Sequence, residues 1–412
     1  MLSPLAAMLA CTFLLGMIVA IWQRIPWVFS QRLKIPEAMC RGWQAWFALP
    51  LIFLFPLLGH WIDSWNSQSI LFFGILGFAL SLALLGQHRT LRGGLTALLV
   101  LCLSIPCVAL PIITLLPRAF PEYKPVLVLN IAFAGVILGM ALTPGMVKMV
   151  VQKLAVRHGF LALALVCLLP ALLVALTPED NLRDGREPGP WSDVLQDGSC
   201  WLLALTAFTY YLLADLLGKW KKAYLSQAPD GMPWVNLVFW LMLGAGLPIA
   251  GWMTWNHFEP WGLAVLAVVY AVVLGNMASD FFSRRSVFGM WIAAGFFAPM
   301  LPTLLAIQLK SSNDNPSGTL GLALGAGALG QFLSQPILER FAQRKPLASL
   351  MWLSAVLALA MAAMTLGLAL LMSPPTTSHR RPNEVRKPHR PFWPFHRLAK
   401  PRPADDPAKQ SL

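Results

Sequence analysis

One carboxylate stands inside an otherwise apolar stretch: Asp215, in the run Tyr210, Tyr211, Leu212, Leu213, Ala214, Asp215, Leu216, Leu217, Gly218, Lys219. At helical spacing Tyr211 falls one turn before it and Lys219 one turn after, on the same face. An ionisable side chain at membrane depth costs about 3 kcal/mol on insertion scales, so its presence points to a task. The task would be binding a proton or a substrate; the other reading is an interfacial Asp paired with Lys219 near a helix end. Arg24, which follows Trp22 and Gln23 near the end of another apolar run, either binds an anionic group or snorkels to the headgroups. Asn130, Asn276, Gln331 and Gln335 sit among few other polar atoms. Each lines a cavity or hydrogen-bonds helices together.

Other chemistries find no residues to carry them. The six cysteines, Cys11, Cys40, Cys102, Cys107, Cys167 and Cys200, form no CxxC pair, and no His stands at ligand spacing beside them. They read as small buried hydrophobes. The seven His residues are scattered, which argues against paired haem ligands. There is no nucleophile elbow, phosphate loop, metal-spaced cluster or carboxylate pair in one loop. Neither a soluble-type active site nor a metal or cofactor is expected.

The elements that must position these residues are membrane helices. Of 412 residues 57% are hydrophobic and 12% charged, against roughly 25% charged in a soluble chain, and mean hydropathy is +0.63. A helix needs about 20 apolar residues to cross a hydrocarbon core of about 30 Å. Twelve stretches qualify, at about 4–27, 43–62, 68–86, 93–117, 125–146, 157–176, 199–218, 233–256, 261–279, 285–308, 316–338 and 346–372. A barrel strand would be shorter and would alternate polar with apolar residues. Trp43, Trp61, Trp65, Trp201, Trp220, Trp234, Trp255 and Trp261 crowd the segment ends, as an aromatic belt does. The first stretch has no basic residue before Arg24, so it reads as a retained helix and not as a signal peptide.

The expected organisation is an all-α polytopic bundle: six helices in 1–176, a polar acidic connection at 177–198, six more helices in 199–372, and a tail at 373–412. The connection holds Glu179, Asp180, Asp184, Glu187, Asp193 and Asp197 against Arg183 and Arg186. The tail, rich in Pro, Arg, Lys and His, cannot bury enough apolar surface to fold and is expected to be disordered. The two sets of six share punctuation. Segment 4 has Pro106 and Pro111, and segment 10 has Pro299 and Pro302; segment 5 has Gly135, Gly139 and Pro144, and segment 11 has Gly325, Gly330 and Pro336. Paired interruptions in two halves point to a transporter-type repeat. The prolines are expected to bend segments 4 and 10.

Six plus six helices around a longer connection resemble the major facilitator superfamily of secondary transporters. That family often carries G-x-x-x-D-[RK]-x-G-[RK]-[RK] after the second helix. Here Gly59, His60, Trp61, Ile62, Asp63 keep the Gly and the Asp, while the following Ser64 to Gln68 hold no basic residue. Asp280, Arg284 and Arg285 keep an acid and an Arg pair after segment 9, and Glu339, Arg340, Arg344 and Lys345 follow segment 11. The resemblance implies alternating access to a small-molecule substrate. Gly59, Asp63, Asp280, Arg284 and Arg285 would then latch one conformation, and Asp215, Tyr211, Arg24, Asn130, Gln331 and Gln335 would serve substrate or coupling. The alternative is a non-transporting subunit, or a membrane-embedded component that faces lipid or quinone in a larger complex; scarce deep charge favours it.

Charge placement conflicts with the resemblance. Loops after odd-numbered segments hold 16 basic residues and loops after even-numbered segments hold 5. That bias puts the N-terminus outside, whereas the family keeps both termini in the cytoplasm. The tail, with nine basic residues, pulls inward. Either one stretch does not cross, 346–372 or 4–27 being the first suspects, or twelve spans hold and the loop bias misleads. The formal net charge of +13 fits loops and a tail facing anionic headgroups; no fold for nucleic acid accompanies it. The expected location is a cell membrane, the bacterial inner membrane.

Overall fold

The protein, a computed structural model, describes residues 4–87, 90–153, 156–177, 190–227, 233–255, 259–279, 284–311, 316–344 and 347–372. Nearly all of them are helical. The helices are α1 (Pro4–Leu33), α2 (Glu37–Ser64), α3 (Ser67–Gln87), α4 (Leu91–Ala119), α5 (Pro125–Lys153), α6 (Val156–Ala175), the short α7 (Trp191–Gln196), α8 (Gly198–Gln227), α9 (Pro233–Trp255), α10 (Glu259–Ser279), α11 (Arg284–Phe297), α12 (Met300–Ser311), α13 (Pro316–Arg344) and α14 (Leu347–Met372). With α11 and α12 counted as one interrupted pass, these are the twelve expected stretches plus α7.

Among the described residues ten spans are long and apolar enough to cross a membrane. The two suspect stretches are both in that set, as Ala6–Leu33 and Ser349–Met372. The remaining passes are α9 and α13. The second is less apolar because it is built on Gly321, Gly325, Gly327 and Gly330. Residues 373–412, 178–189 and Asp280 lie outside the described residues. So do the side chains of Asp63, Lys219, Arg284, Arg285 and Gln335.

Passes alternate in direction, so one face of the molecule gathers the ends of α2, α4, α6, α9 and α12 and the starts of α3, α5, α8, α10 and α13. It is called here the connector face. Cross-links bind it. Gln68 Nε2 at the start of α3 donates to the Val174 and Thr177 carbonyls at the end of α6, at 2.6 and 2.8 Å. The His60 ring lies 5.4 Å from the Trp191 ring of α7. Lys310 and Glu259 pair at 2.5 Å between α12 and α10. Asp197 accepts from the Ser199 backbone N–H and hydroxyl and so starts α8. Partial burial works against the charge of its carboxylate, but those bonds and the Cys200 thiol hold it below the usual carboxylate range. Exposed Trp61, Trp65, Trp201 and Trp261 all stand at this level, where an indole meets both acyl chains and headgroups.

Helix pairing repeats at an offset of six passes. The first pass packs on the fifth (α1 on α5), as the seventh packs on the eleventh (α8 on α13). The third packs on the fourth and sixth (α3 on α4 and α6), as the ninth does on the tenth and twelfth (α10 on α11 and α14). Between the two sets, α2 lies on α13, while α5 lies on α9 and α12. The glycines follow the pairing in part. Gly135 and Gly139 face Thr12, Phe13 and Gly16 of α1, and Gly330 faces Phe208 of α8, whereas Gly325 turns to α2.

Prolines shape the backbone in a more specific way than bending. A proline at position i frees the carbonyl at i−4, and in a membrane that carbonyl has no water to turn to. Pro26 frees the Trp22 carbonyl, which accepts from Gln44 Nε2 of α2 at 2.5 Å. Pro111 frees Cys107, whose carbonyl oxygen lies where a methyl on Gly74 of α3 would stand 2.8 Å away. Pro299 frees Gly295, and its carbonyl lies against Gly246 of α9 so closely that a methyl there would collide. In both cases a neighbouring helix brings a glycine backbone to the freed carbonyl. Segment 10 is interrupted at Ala298 and Pro299, between α11 and α12. Segment 4, by contrast, continues as one helix through Pro106, Pro111 and Pro117.

Candidate functional site

Three seams bring together the residues that could act. The first joins α2 to α13. A methyl on Gly59 would collide with the Ser317 carbonyl, and one on Gly321 would meet the Phe55 carbonyl at 2.5 Å. One on Gly325 would meet the Ile52 carbonyl, itself freed by Pro56, at 2.8 Å. The partial motif points to Gly59, and the structure gives it a close backbone contact between the first six passes and the last six. Its motif partner Asp63 contributes no described side chain.

The second seam joins α5 to α12. Asn130 is fully buried. Its Nδ2 donates to the Val126 carbonyl at 2.8 Å and to Thr303 Oγ1 of α12 at 3.3 Å. The Val126 bond fixes the amide orientation, because a carbonyl accepts only from the nitrogen. Asn130 Oδ1 is then a buried acceptor without a partner. Thr303 is equally buried, and sequence reasoning missed it: a Thr after Pro302 carries no signal of its own.

The third seam joins α8 to α13. Tyr211 stacks its ring over Gly327, which has no side chain to block it. One turn on, Asp215 Oδ2 lies 2.5 Å from Ser334 Oγ, and the same Oγ lies 2.7 Å from the Gln331 carbonyl. A hydroxyl owns one proton. When Asp215 is ionised, Ser334 donates to it. When Asp215 is protonated, the acid donates to Ser334, whose proton turns to the Gln331 carbonyl. Asp215 and Tyr211 therefore share one face, as the spacing predicts, but the face is turned to α13. Gln331 takes part through its backbone, and its side chain is half-buried. Ser334 is a participant that sequence reasoning missed.

Beside these seams lies an aromatic cluster in the second set of six. Tyr210 stacks on Phe297 at 4.4 Å, and Tyr270 lies 5.3 Å from Phe297, at the last residue before the α11–α12 interruption. The Tyr270 hydroxyl is buried without a partner. Arg24 is brought to none of these seams; it is exposed, with Gln23, in the second half of α1, which continues to Leu33. Five of the six cysteines are buried and Cys107 is half-buried; none is bonded to another.

The fold is that of the major facilitator superfamily transporters. The E. coli fucose:proton symporter FucP (N162A) matches with a TM-score of 0.67 at 14% identity, over 89% of this chain and 99% of that one. FucP in the outward conformation matches at 0.72, also at 14% identity and over the same shares of the two chains. The proton:xylose symporter XylE bound to 6-bromo-6-deoxy-D-glucose matches at 0.72 and 12% identity, over 90% of this chain and 95% of that one. No family model matches the chain and no curated protein matches it in sequence. With its ten apolar spans this fold makes the chain a multi-pass membrane protein.

Proposed function

We propose that the protein is a secondary transporter that moves a small solute by alternating access between two six-helix bundles, 1–176 and 199–372, joined by 177–198. One observation carries the reading. The apolar cluster centred on the first six helices takes in Leu305 and Ala306 of α12 and Leu320, Leu324 and Ala328 of α13. Among the described residues it takes in nothing of α13 beyond Ala328. The named contacts between the sets, Gly59 to Ser317 and Asn130 to Thr303, lie in the same connector-side half. Contact between the two sets at the connector end is what one limit of alternating access requires there.

Coupling would fall to Asp215. Its carboxylate is bonded to Ser334 across α8 and α13, the helices at which a change in its charge would be felt. The structural neighbours are named as proton symporters, which supports the same chemistry here. The partners would be the small solute and the bilayer, with anionic headgroups at the basic loops and tail, in a bacterial inner membrane. Proteoliposomes under an inward proton gradient test the reading. Asp215→Asn should abolish accumulation of a transported solute yet retain exchange down its own gradient. Normal accumulation in Asp215→Asn removes Asp215 from the site.

A further inference from the structure

We infer that Asn130 and Thr303 are solute contacts, and that the solute is uncharged and presents an O–H or N–H donor to Asn130 Oδ1. The inference rests on the transport reading and goes beyond it by naming the site and the ligand class.

Asn130 and Thr303 belong to opposite sets of six helices and are both fully buried. They bond to each other across α5 and α12. If the connector-side half opens, that bond must break. Thr303 Oγ1 and one hydrogen of Asn130 Nδ2 then face the space between the bundles, beside an Oδ1 that has no partner even in the sealed state. A buried amide oxygen without a partner is rare, because the missing bond is not recovered from water. The protein retains one where the bundles meet and where α12 begins after a helix interruption. Interrupted helices at the junction of repeats are where transporters place their ligands. A solute that donates to Oδ1 and accepts from Nδ2 or Thr303 would satisfy the groups of Asn130 and Thr303 that opening exposes. It would therefore bind the opening state better than the sealed one, which is the differential affinity a ligand needs to shift the equilibrium.

The class follows from what lines the seam. Gln308 of α12 donates to the Thr319 carbonyl of α13 at 2.7 Å. Ser317 and Thr319 of α13 are buried, and the apolar residues that α12 contributes to the first cluster or packs against it are Leu301, Leu305, Ala306 and Leu309. Asn130, Thr303, Gln308, Ser317 and Thr319 are all uncharged, and the described charge of α12, Lys310 with its partner Glu259, lies at the connector end of the helix. A carboxylate or ammonium brought there would lose its hydration without an opposite charge to replace it. A neutral donor loses only what Asn130 and Thr303 return.

The test uses the full chain in lipid nanodiscs and follows thermal unfolding with matched neutral and charged probes. These are L-fucose, D-xylose, sorbitol and D-glucose against D-glucuronate and D-glucosamine, and nicotinamide against nicotinate. At least one neutral probe should raise Tm in a saturable way while its charged counterpart does not. Thr303→Val, which keeps the side-chain shape, and Asn130→Ala should each weaken that response at least tenfold. Both variants are accepted as folded if they elute as the wild type does. A response to charged probes, wild-type affinity in both variants, or no response to any probe overturns the inference. Distances between spin labels on the two bundles, measured in the same samples, keep the two readings apart. Labels that move while no probe binds leave alternating access standing and sink the ligand assignment; labels that never move sink both.

Discussion

A membrane residue is explained once its polar atoms have partners. Gln44 is a clear case, because Pro26 makes the Trp22 carbonyl available and Gln44 Nε2 takes it up. Gln44→Leu leaves that carbonyl unpaired in a dry interior, so the protein should lose about 1–3 kcal/mol, read as a lower unfolding temperature in nanodiscs. Ser334→Ala tests the account of Asp215 differently. The carboxylate keeps its place but loses its Ser334 partner, so accumulation under a proton gradient should weaken while the fold stays intact. Unchanged accumulation in Ser334→Ala would make the pair structural. At this scale the sequence is legible for Asp215 and Tyr211, because a lone carboxylate in an apolar run has few innocent explanations. It is silent on Ser334 and Thr303. Hydroxyl residues are common in membrane helices, and only a neighbour from another helix gives one of them a role. Asn130 is visible as a polar residue, but its partner sits 173 positions away, and no local pattern encodes that.

Helices here are legible because each pass must satisfy its own backbone and bury about 20 apolar residues. That requirement places twelve passes close to where they stand, and it misses α7, whose six residues bury little beyond Val194. It also misses which proline interrupts a helix and which is absorbed. Pro106 and Pro111 both sit inside α4, yet Pro299 parts α11 from α12. Gly246 on α9 approaches the Gly295 carbonyl that Pro299 frees, and this approach is the interaction most sensitive to bulk. Gly246→Ala should force α9 away from α11 and lower stability by more than the roughly 1 kcal/mol of a typical substitution. Thermal unfolding against a control substitution on the exposed face, such as Leu241→Ala, measures it. The glycines of α13 serve a different end. Gly321→Leu would prevent α13 from reaching the Phe55 carbonyl of α2. Its expected effect is a loss of the sealed connector-side state, with the two bundles still folded, seen as faster modification of a cysteine placed at Ser317.

For the whole molecule, topology and charge give different weight to the two faces. With twelve passes Pro4 and Met372 share the connector face. The tail and the even-numbered loops together carry nine and five basic residues, against sixteen in the odd-numbered loops. The loop bias that seems to invert the protein is almost cancelled, and a reporter fused after Met372 should read as cytoplasmic; a periplasmic reading would reverse the assignment. The two-bundle organisation is the claim on which everything else depends, and a distance measurement reaches it most directly. Cysteines replacing Glu122 in the α4–α5 linker and Trp261 at the start of α10 are exposed on the connector face, one in each set of six. In a background without the six native cysteines, spin labels at these positions should give two distance populations. The shorter should dominate in the wild type, and the longer should dominate when Gly321→Leu is added. A single distance, unchanged by Gly321→Leu in a protein that remains folded, would contradict alternating access between two bundles.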